Sequence, residues 1–215
     1  VRDPLVPFAP EGYPFVLIPT VAGLFLWLFG YHGVAAVLWA IGLFCLSFFR
    51  DPARTSDAGA HAILAPADGK VIAISPAPAA LAAAGFPQQI SIFMSPLNVH
   101  VNRAPIGGRV TEVRWSPGAK WPAFRDKASD LNEHAFVRLE GEAGSVAYKQ
   151  IAGAVARRVV CDLAVGDQVQ RGQRVGIIKF SSRVDLYLPP EAEVTVAVGQ
   201  RCRAGVTVVA HFRHP

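Results

Sequence analysis

Two adjacent hydroxyl side chains, Ser181 and Ser182, interrupt an apolar run, Val175-Gly-Ile-Ile-Lys-Phe-Ser-Ser-Arg-Val-Asp-Leu-Tyr-Leu-Pro189. Taken alone, such a pair most often caps or bends a strand. The reactive use needs a base: once deprotonated, Ser182 Oγ attacks the carbonyl carbon of Ser181 and shifts the peptide to an ester. β-Elimination of that ester frees the upstream chain and leaves dehydroalanine, which hydrolyses to a pyruvoyl ketone. A ketone of this kind takes an amine as a Schiff base and acts as an electron sink, a task for which a bound cofactor is otherwise needed.

The base has to come from elsewhere in the chain. His100 stands in Ile90-Ser-Ile-Phe-Met-Ser-Pro-Leu-Asn-Val-His-Val-Asn-Arg-Ala-Pro105, which alternates polar and apolar residues. A lone strand histidine is ordinarily a hydrogen-bonded core or surface group. Asp68 lies in Ala65-Pro-Ala-Asp-Gly-Lys-Val71, a strand, tight turn, strand signal that reads equally as a plain hairpin or as the site of a buried carboxylate. His134 is a further candidate base.

The elements that must carry these groups divide sharply by composition. Of 215 residues, 52% are hydrophobic and 17% charged, and no Asp, Glu, Lys or Arg occurs between Glu11 and Arg50. Within that gap the apolar runs 15–29 and 34–49 flank Gly30-Tyr31-His32-Gly33, a break with turn chemistry. Each run is about 15 residues, or about 23 Å as helix, somewhat short of a hydrocarbon core of about 30 Å. A helical hairpin that spans thinly or dips into one leaflet is expected. A cleaved signal peptide is set aside, because the leading residues are not basic, the apolar length is too great and no small-residue cleavage site follows. Arg50 and Arg54 come next, which places that end in the cytoplasm and makes both arginines snorkelling anchors first and headgroup ligands second.

From about His61 the chain reads as short β segments punctuated by Gly and Pro, with 107–117, 134–139, 145–151, 157–163, 193–198 and 205–212 as strand candidates and 79–84 as a short helix. The expected fold is therefore mainly β, in half-barrel or barrel-sandwich-like sheets with some short helices, behind an N-terminal helical membrane hairpin. The hairpin occupies 1–50 and the β-rich catalytic domain 51–215. A net charge of +5 and a pI near 9.4 suit an anionic membrane surface, and no nucleic-acid signature is present. Cys45, Cys161 and Cys202 give neither a metal spacing nor a disulfide framework, which favours a reducing compartment.

Four tracts fall in one order over roughly residues 48–190: Phe48-Phe-Arg-Asp-Pro-Ala-Arg54, Ala-Asp-Gly-Lys at 67–70, Met94-Ser-Pro-Leu-Asn-Val-His100 with Asn-Arg-Ala-Pro105, and the Ser181-Ser182 run. In these the chain resembles the short bacterial form of the phosphatidylserine decarboxylases, pyruvoyl enzymes that cut themselves to make their cofactor. That family normally shows Gly-Ser at the processed bond; here Ser181 takes the place of glycine.

The resemblance implies a carboxy-lyase that converts phosphatidylserine to phosphatidylethanolamine and carbon dioxide. It implies a cut before Ser182, fragments 1–181 and 182–215 that stay paired, and a pyruvoyl group derived from Ser182. His100 would protonate the carbanion and Asp68 would orient or tune that imidazole. Arg103 stands where long-form enzymes carry a second histidine, so either His100 serves twice or Arg103 holds the substrate phosphate with its guanidinium fork. A homo-oligomer at the bacterial inner membrane is expected, with the catalytic domain on the cytoplasmic side. The aromatic loop Trp115-Ser-Pro-Gly-Ala-Lys-Trp-Pro122, with Arg125, reads either as a headgroup-level contact or as ordinary packing. Asp126-Lys-Ala-Ser129 with Asn132-Glu133 is similar to a polar loop of the same family.

Two competing readings stand beside this one. The tracts at 65–71 and 166–172 also resemble the hairpin halves of a biotinyl or lipoyl-like binding module on a membrane anchor. Alternatively the chain is an uncut, silent proenzyme, because Ser181 lacks the backbone freedom of glycine.

Overall fold

The charge-free stretch folds as two helices, α1 (Tyr13–Leu28) and α2 (His32–Phe48), with a short 3-10 turn at Pro10–Gly12 ahead of the first. This computed structural model describes residues 7–118, 132–153, 158–179 and 182–213. It divides into two units, Arg2–Ala53 and Arg54–Pro215. In the first, Trp39 Nε1 donates to Thr20 O at 3.3 Å and Phe15 stacks on Phe49 at 5.3 Å, contacts that run the helices antiparallel. Leu17, Ile18, Val21, Leu24, Phe25 and Leu28 are 52 to 68% exposed. So continuous an apolar surface is unfavourable in water and suits lipid. Pro10–Leu28 is 19 residues, long and apolar enough to cross a membrane. It exceeds the expected run because the helical path begins at Pro10, ahead of the apolar residues.

The second unit is built of strands β1 (Ala62–Leu64), β2 (Gly69–Pro76), β3 (Gln88–Met94), β4 (Val101–Arg103), β5 (Gly108–Ser116), β6 (His134–Gly141), β7 (Gly144–Ala152), β8 (Arg158–Cys161), β9 (Gln168–Val169), β10 (Arg174–Lys179), β11 (Ser182–Leu188), β12 (Ala192–Val194), β13 (Arg201–Cys202) and β14 (Val208–Phe212). One short helix, α3 (Ala79–Ala83), lies between β2 and β3. Eight strands form one sheet in the order β13-β2-β3-β11-β7-β6-β5-β9, and two three-stranded sheets, β1-β14-β12 and β4-β10-β8, complete the unit. Every named pairing is antiparallel. The mainly β class expected from the sequence is the observed one.

Two local expectations change. The turn at Asp68-Gly69 does not close a hairpin, because β1 pairs with β14 whereas β2 pairs with β3 and β13. Turn chemistry fixes that the chain bends, not which strand it bends toward. The apolar run 175–189 is two strands in different sheets: β10 lies between β4 and β8, and β11 lies between β3 and β7. Ser182 opens β11 at that change of sheet.

β11 is buried along its whole length. Val184, Leu186 and Leu188 enter the main core with Ile90, Ile92, Val137, Leu139 and Tyr148, whereas Tyr187 packs on the other face with Phe86, Phe136 and Ala147. A strand covered on both faces leaves its polar residues, here Ser182, Arg183 and Asp185, to find partners inside. Each fully buried Val, Leu or Ile contributes about 1.5–3 kcal/mol relative to exposure.

Candidate active site

Ser182 is the first residue of β11 and has no solvent exposure. Its cross-strand neighbours are Met94 on β3 and Ala152 on β7. Directly opposed residues of an antiparallel pair share a face. Ser182 therefore lies on the core face with Val184, Ile92 and Gln150, and its Oγ–H donates to Met94 Sδ at 3.2 Å. Opposite it, Ala152 is fixed from outside the strand: Asn132 Nδ2 donates to Ala152 O at 2.6 Å, and Ala152 N donates to Glu133 O at 2.9 Å. Glu133 Oε1 also accepts from Val159 N at 3.1 Å. Asn132 and Glu133, whose purpose the sequence did not reveal, thus tie β7 and β8 together beside the serine.

His100 reaches the same region by the route that leaves Met94. Ser95 to Asn98 is a tight turn closed by Asn98 N to Ser95 O at 2.9 Å, with Ser95 N and Oγ both donating to Asn98 Oδ1 at 2.9 and 2.8 Å. His100 then precedes β4, which pairs with β10 through Val101 and Ile177, and the carbonyl of His100 accepts from Ile178 N at 3.4 Å. The imidazole is fully buried, with Nδ1 3.0 Å from Asn98 O. A carbonyl oxygen only accepts, so in the neutral ring Nδ1 carries the hydrogen and Nε2 the basic lone pair. That is the tautomer a general base needs.

Asp68 is buried, yet its partners differ from those expected. Arg54 grips both carboxylate oxygens, with Nη2 2.8 Å from Oδ2 and Nη1 on Oδ1, and Ala204 N donates to Oδ1 at 2.7 Å. Arg54 Nη1 also donates to Ala204 O at 2.9 Å. Arg54, only 10% exposed at its side chain, is therefore an internal clamp rather than a snorkelling anchor. The guanidinium is drawn in by a two-pronged carboxylate that also needs a counter-charge once buried. Asp68 is not hydrogen-bonded to His100. Its negative charge, after burial itself, pushes the Cys202 thiol up to about 11.

Arg103, at the end of β4, is 7% exposed and donates from Nη1 to Gly172 O at 3.1 Å. Its backbone N donates to Pro66 O at 3.0 Å. His134 Nδ1 lies 2.8 Å from Asn132 O, and its register partner Ile151 is opposite Arg183, so His134 stands on the other face of the sheet from Ser182. Ser181, the other half of the expected scissile bond, lies outside the described residues, as do Lys120, Trp121, Arg125 and the tract 126–129.

Sequence reasoning missed two features of β11 and its neighbours. On the face opposite Ser182, Arg183 and Asp185 form a buried fork, Nε to Oδ1 at 2.8 Å and Nη2 to Oδ2 at 2.8 Å. Their separation of two residues on a strand was the available signal. On the core face, Gln150 and Asn102 are completely buried, with Gln150 Nε2 donating to Asn102 Oδ1 at 2.8 Å. Gln150 was detectable only as a polar break in the series Val146, Tyr148, Gln150, Ala152.

A family model described as phosphatidylserine decarboxylase matches residues 41–210 of this chain. Among curated proteins, the chain is 45% identical over 210 residues to a phosphatidylserine decarboxylase proenzyme of Magnetococcus marinus, covering 95% of each. It is 41% identical over 207 residues to the proenzyme of the same name from Paraburkholderia xenovorans, covering 95% of this chain and 96% of the relative. The competing reading as a biotinyl or lipoyl-like module finds no support in these matches.

Proposed function

The chain belongs to the phosphatidylserine decarboxylase family and removes carbon dioxide from phosphatidylserine, and we propose that it does so through a pyruvoyl group made from its own Ser182. Loss of carbon dioxide from the serine headgroup leaves an ethanolamine headgroup, so the product is phosphatidylethanolamine. The observation that carries the pyruvoyl reading is a serine hydroxyl with no solvent exposure, on the core face, at the point where the chain passes from one sheet to another.

In the making of that group, Ser182 Oγ forms a bond to the carbonyl carbon of residue 181 as the peptide C–N bond breaks. Elimination then releases 1–181 with a new carboxylate. Water replaces the former amide nitrogen of residue 182, which departs as ammonia. The ketone keeps the three carbons of the serine, so the space it occupies is already present opposite Ala152. When formed, it supplies an electrophilic carbon for the substrate amine and an electron sink for the carbanion left by carbon dioxide. His100 Nε2, with its basic lone pair, takes the proton from Ser182 Oγ during scission and returns one to carbon during turnover. Asp68 serves by fixing Arg54 and the 204 loop, and Arg103 is the candidate for the lipid phosphate. Fragment 182–215 stays in place after the cut because β11 keeps seven register pairs to β3 and six to β7, while β13 and β14 pair with β2 and β1. The apolar hairpin lies in the bacterial cell membrane, with the catalytic unit on the cytoplasmic side.

Intact-mass analysis and a denaturing gel of the purified chain test this. A 23.0 kDa polypeptide cut before Ser182 yields pieces of about 19 and 4 kDa in proportion to length, the smaller beginning with a ketone. Ser182→Ala leaves one band and no carbon dioxide release. An intact wild-type chain that still decarboxylates the lipid overturns the proposal.

A further inference from the structure

Among the described residues, Gln150 Oε1 is a buried acceptor with no hydrogen-bond partner. The groups around it fix which way it faces. Met94 Sδ only accepts; it receives Ser182 Oγ–H at 3.2 Å and Asn102 Nδ2–H at 3.7 Å. Asn102 must therefore turn Oδ1 away from Met94, and that oxygen takes Gln150 Nε2–H at 2.8 Å. The carboxamide of Gln150 is thereby oriented by a chain of contacts that begins at the reacting hydroxyl, and its oxygen is left over. Ala152, not Gln150, is directly opposite Ser182, which makes Gln150 a diagonal neighbour at about 7–8 Å between backbones. Ala152, directly opposite Ser182, presents only a methyl group on the face that Gln150 shares.

An acceptor stranded in a core is a standing cost that a donor removes. The amine of the substrate is a donor of the right kind, and the contacts from Ser182 through Met94 and Asn102 tie this carboxamide to the residue on which that amine would react. We propose that Gln150, held by Asn102, is a binding residue for the headgroup amine, accepting an N–H through Oε1 and aligning the nitrogen on the carbon of residue 182. This rests on the pyruvoyl reading above.

The test uses the full chain in detergent micelles with phosphatidylethanolamine, which carries the amine but has no carboxylate left to lose. A hydrazide counts ketones on the small chain, and cyanoborohydride with the lipid gives an amine-dependent mass gain on the same chain. Gln150→Met, similar in length and apolar, is expected to label with hydrazide like the wild type while the lipid mass gain falls at least ten-fold. A mass gain in Gln150→Met within two-fold of the wild type overturns the assignment. So does a loss in Gln150→Met that comes with a lowered urea midpoint of the full chain, which makes the role one of packing. A Gln150→Met chain without a ketone beside a labelled wild type also overturns it, since the residue then acts in making the group. A wild type that never labels takes down the pyruvoyl reading and this one with it.

Discussion

Arg183 and Asp185 should behave as one unit whose halves cannot be removed separately. Their side chains are 4 and 0% exposed, and the fork joins two pairs of atoms at 2.8 Å. Removing one member of such a pair leaves a buried charge without its principal counter-charge and costs about 3–5 kcal/mol, whereas replacing both by apolar residues of similar volume is near neutral or stabilising. For a unit of this size, with a urea slope of about 2 kcal/mol per molar, a single loss moves the midpoint by about 1.5–2.5 M. The measurement is urea unfolding of the full chain in micelles. Carrying Ser182→Ala throughout keeps each variant one polypeptide, so that linear extrapolation applies. Asp185→Leu and Arg183→Met should each fall by the stated amount, and the double variant, which still buries Lys149 opposite position 185, should lose clearly less than the two losses summed. Strictly additive losses, or a single loss below about 1 kcal/mol, refute the claim that this fork is the electrostatic anchor of β11.

Gly176 has φ +151°, and a Cβ there would overlap Val160 O on β8. Gly176→Ala should cost roughly 2–4 kcal/mol and slow fragment formation on a gel, because β10 also carries β4 and hence Asn102 and His100. Cys202 supplies a pH test: its thiol titrates at about 11 in the fold against an ordinary value near 9. The folded state holds that proton longer, so the stability it contributes is complete below about pH 9 and disappears as pH rises toward 11. Urea midpoints between pH 8 and 10.5 should decline less steeply in Cys202→Ala than in the parent, and parallel slopes would contradict the shift.

The candidate site residues were legible because each sits in a local string that survives without knowledge of the fold: the serines in an apolar run, His100 after Ser-Pro-Leu-Asn, Asp68 before Gly69. The strands β5, β6 and β7 were equally plain, since one face of each meets the core. What stayed hidden depends on partners far away in the chain. The Asp68 carboxylate answers to Arg54 and Ala204, 14 and 136 residues distant, so its local turn chemistry suggested a hairpin that does not exist. Arg54 looked like an anchor for the same reason, as a cation following an apolar run. Gln150 resembled an ordinary polar residue in a strand until the register put it on the core face beside Val184.

That register also explains how one strand carries both the proposed pyruvoyl serine and a charged fork. Ser182, Met94, Asn102, Gln150 and Ala152 are uncharged and share the core face, while Arg183, Asp185 and the buried Lys149 opposite Asp185 fall on the other. A carboxylate that leaves as neutral carbon dioxide loses charge along the reaction, and surroundings that solvate charge poorly favour that direction. Period-two alternation lets β11 meet two demands at once: ionic anchoring on one face, and on the other polar but uncharged neighbours. Adding a cation to the core face, as in Val184→Lys with Arg183 left in place, should therefore depress carbon dioxide release far more than fragment formation on a gel, since only turnover needs the carboxylate poorly solvated.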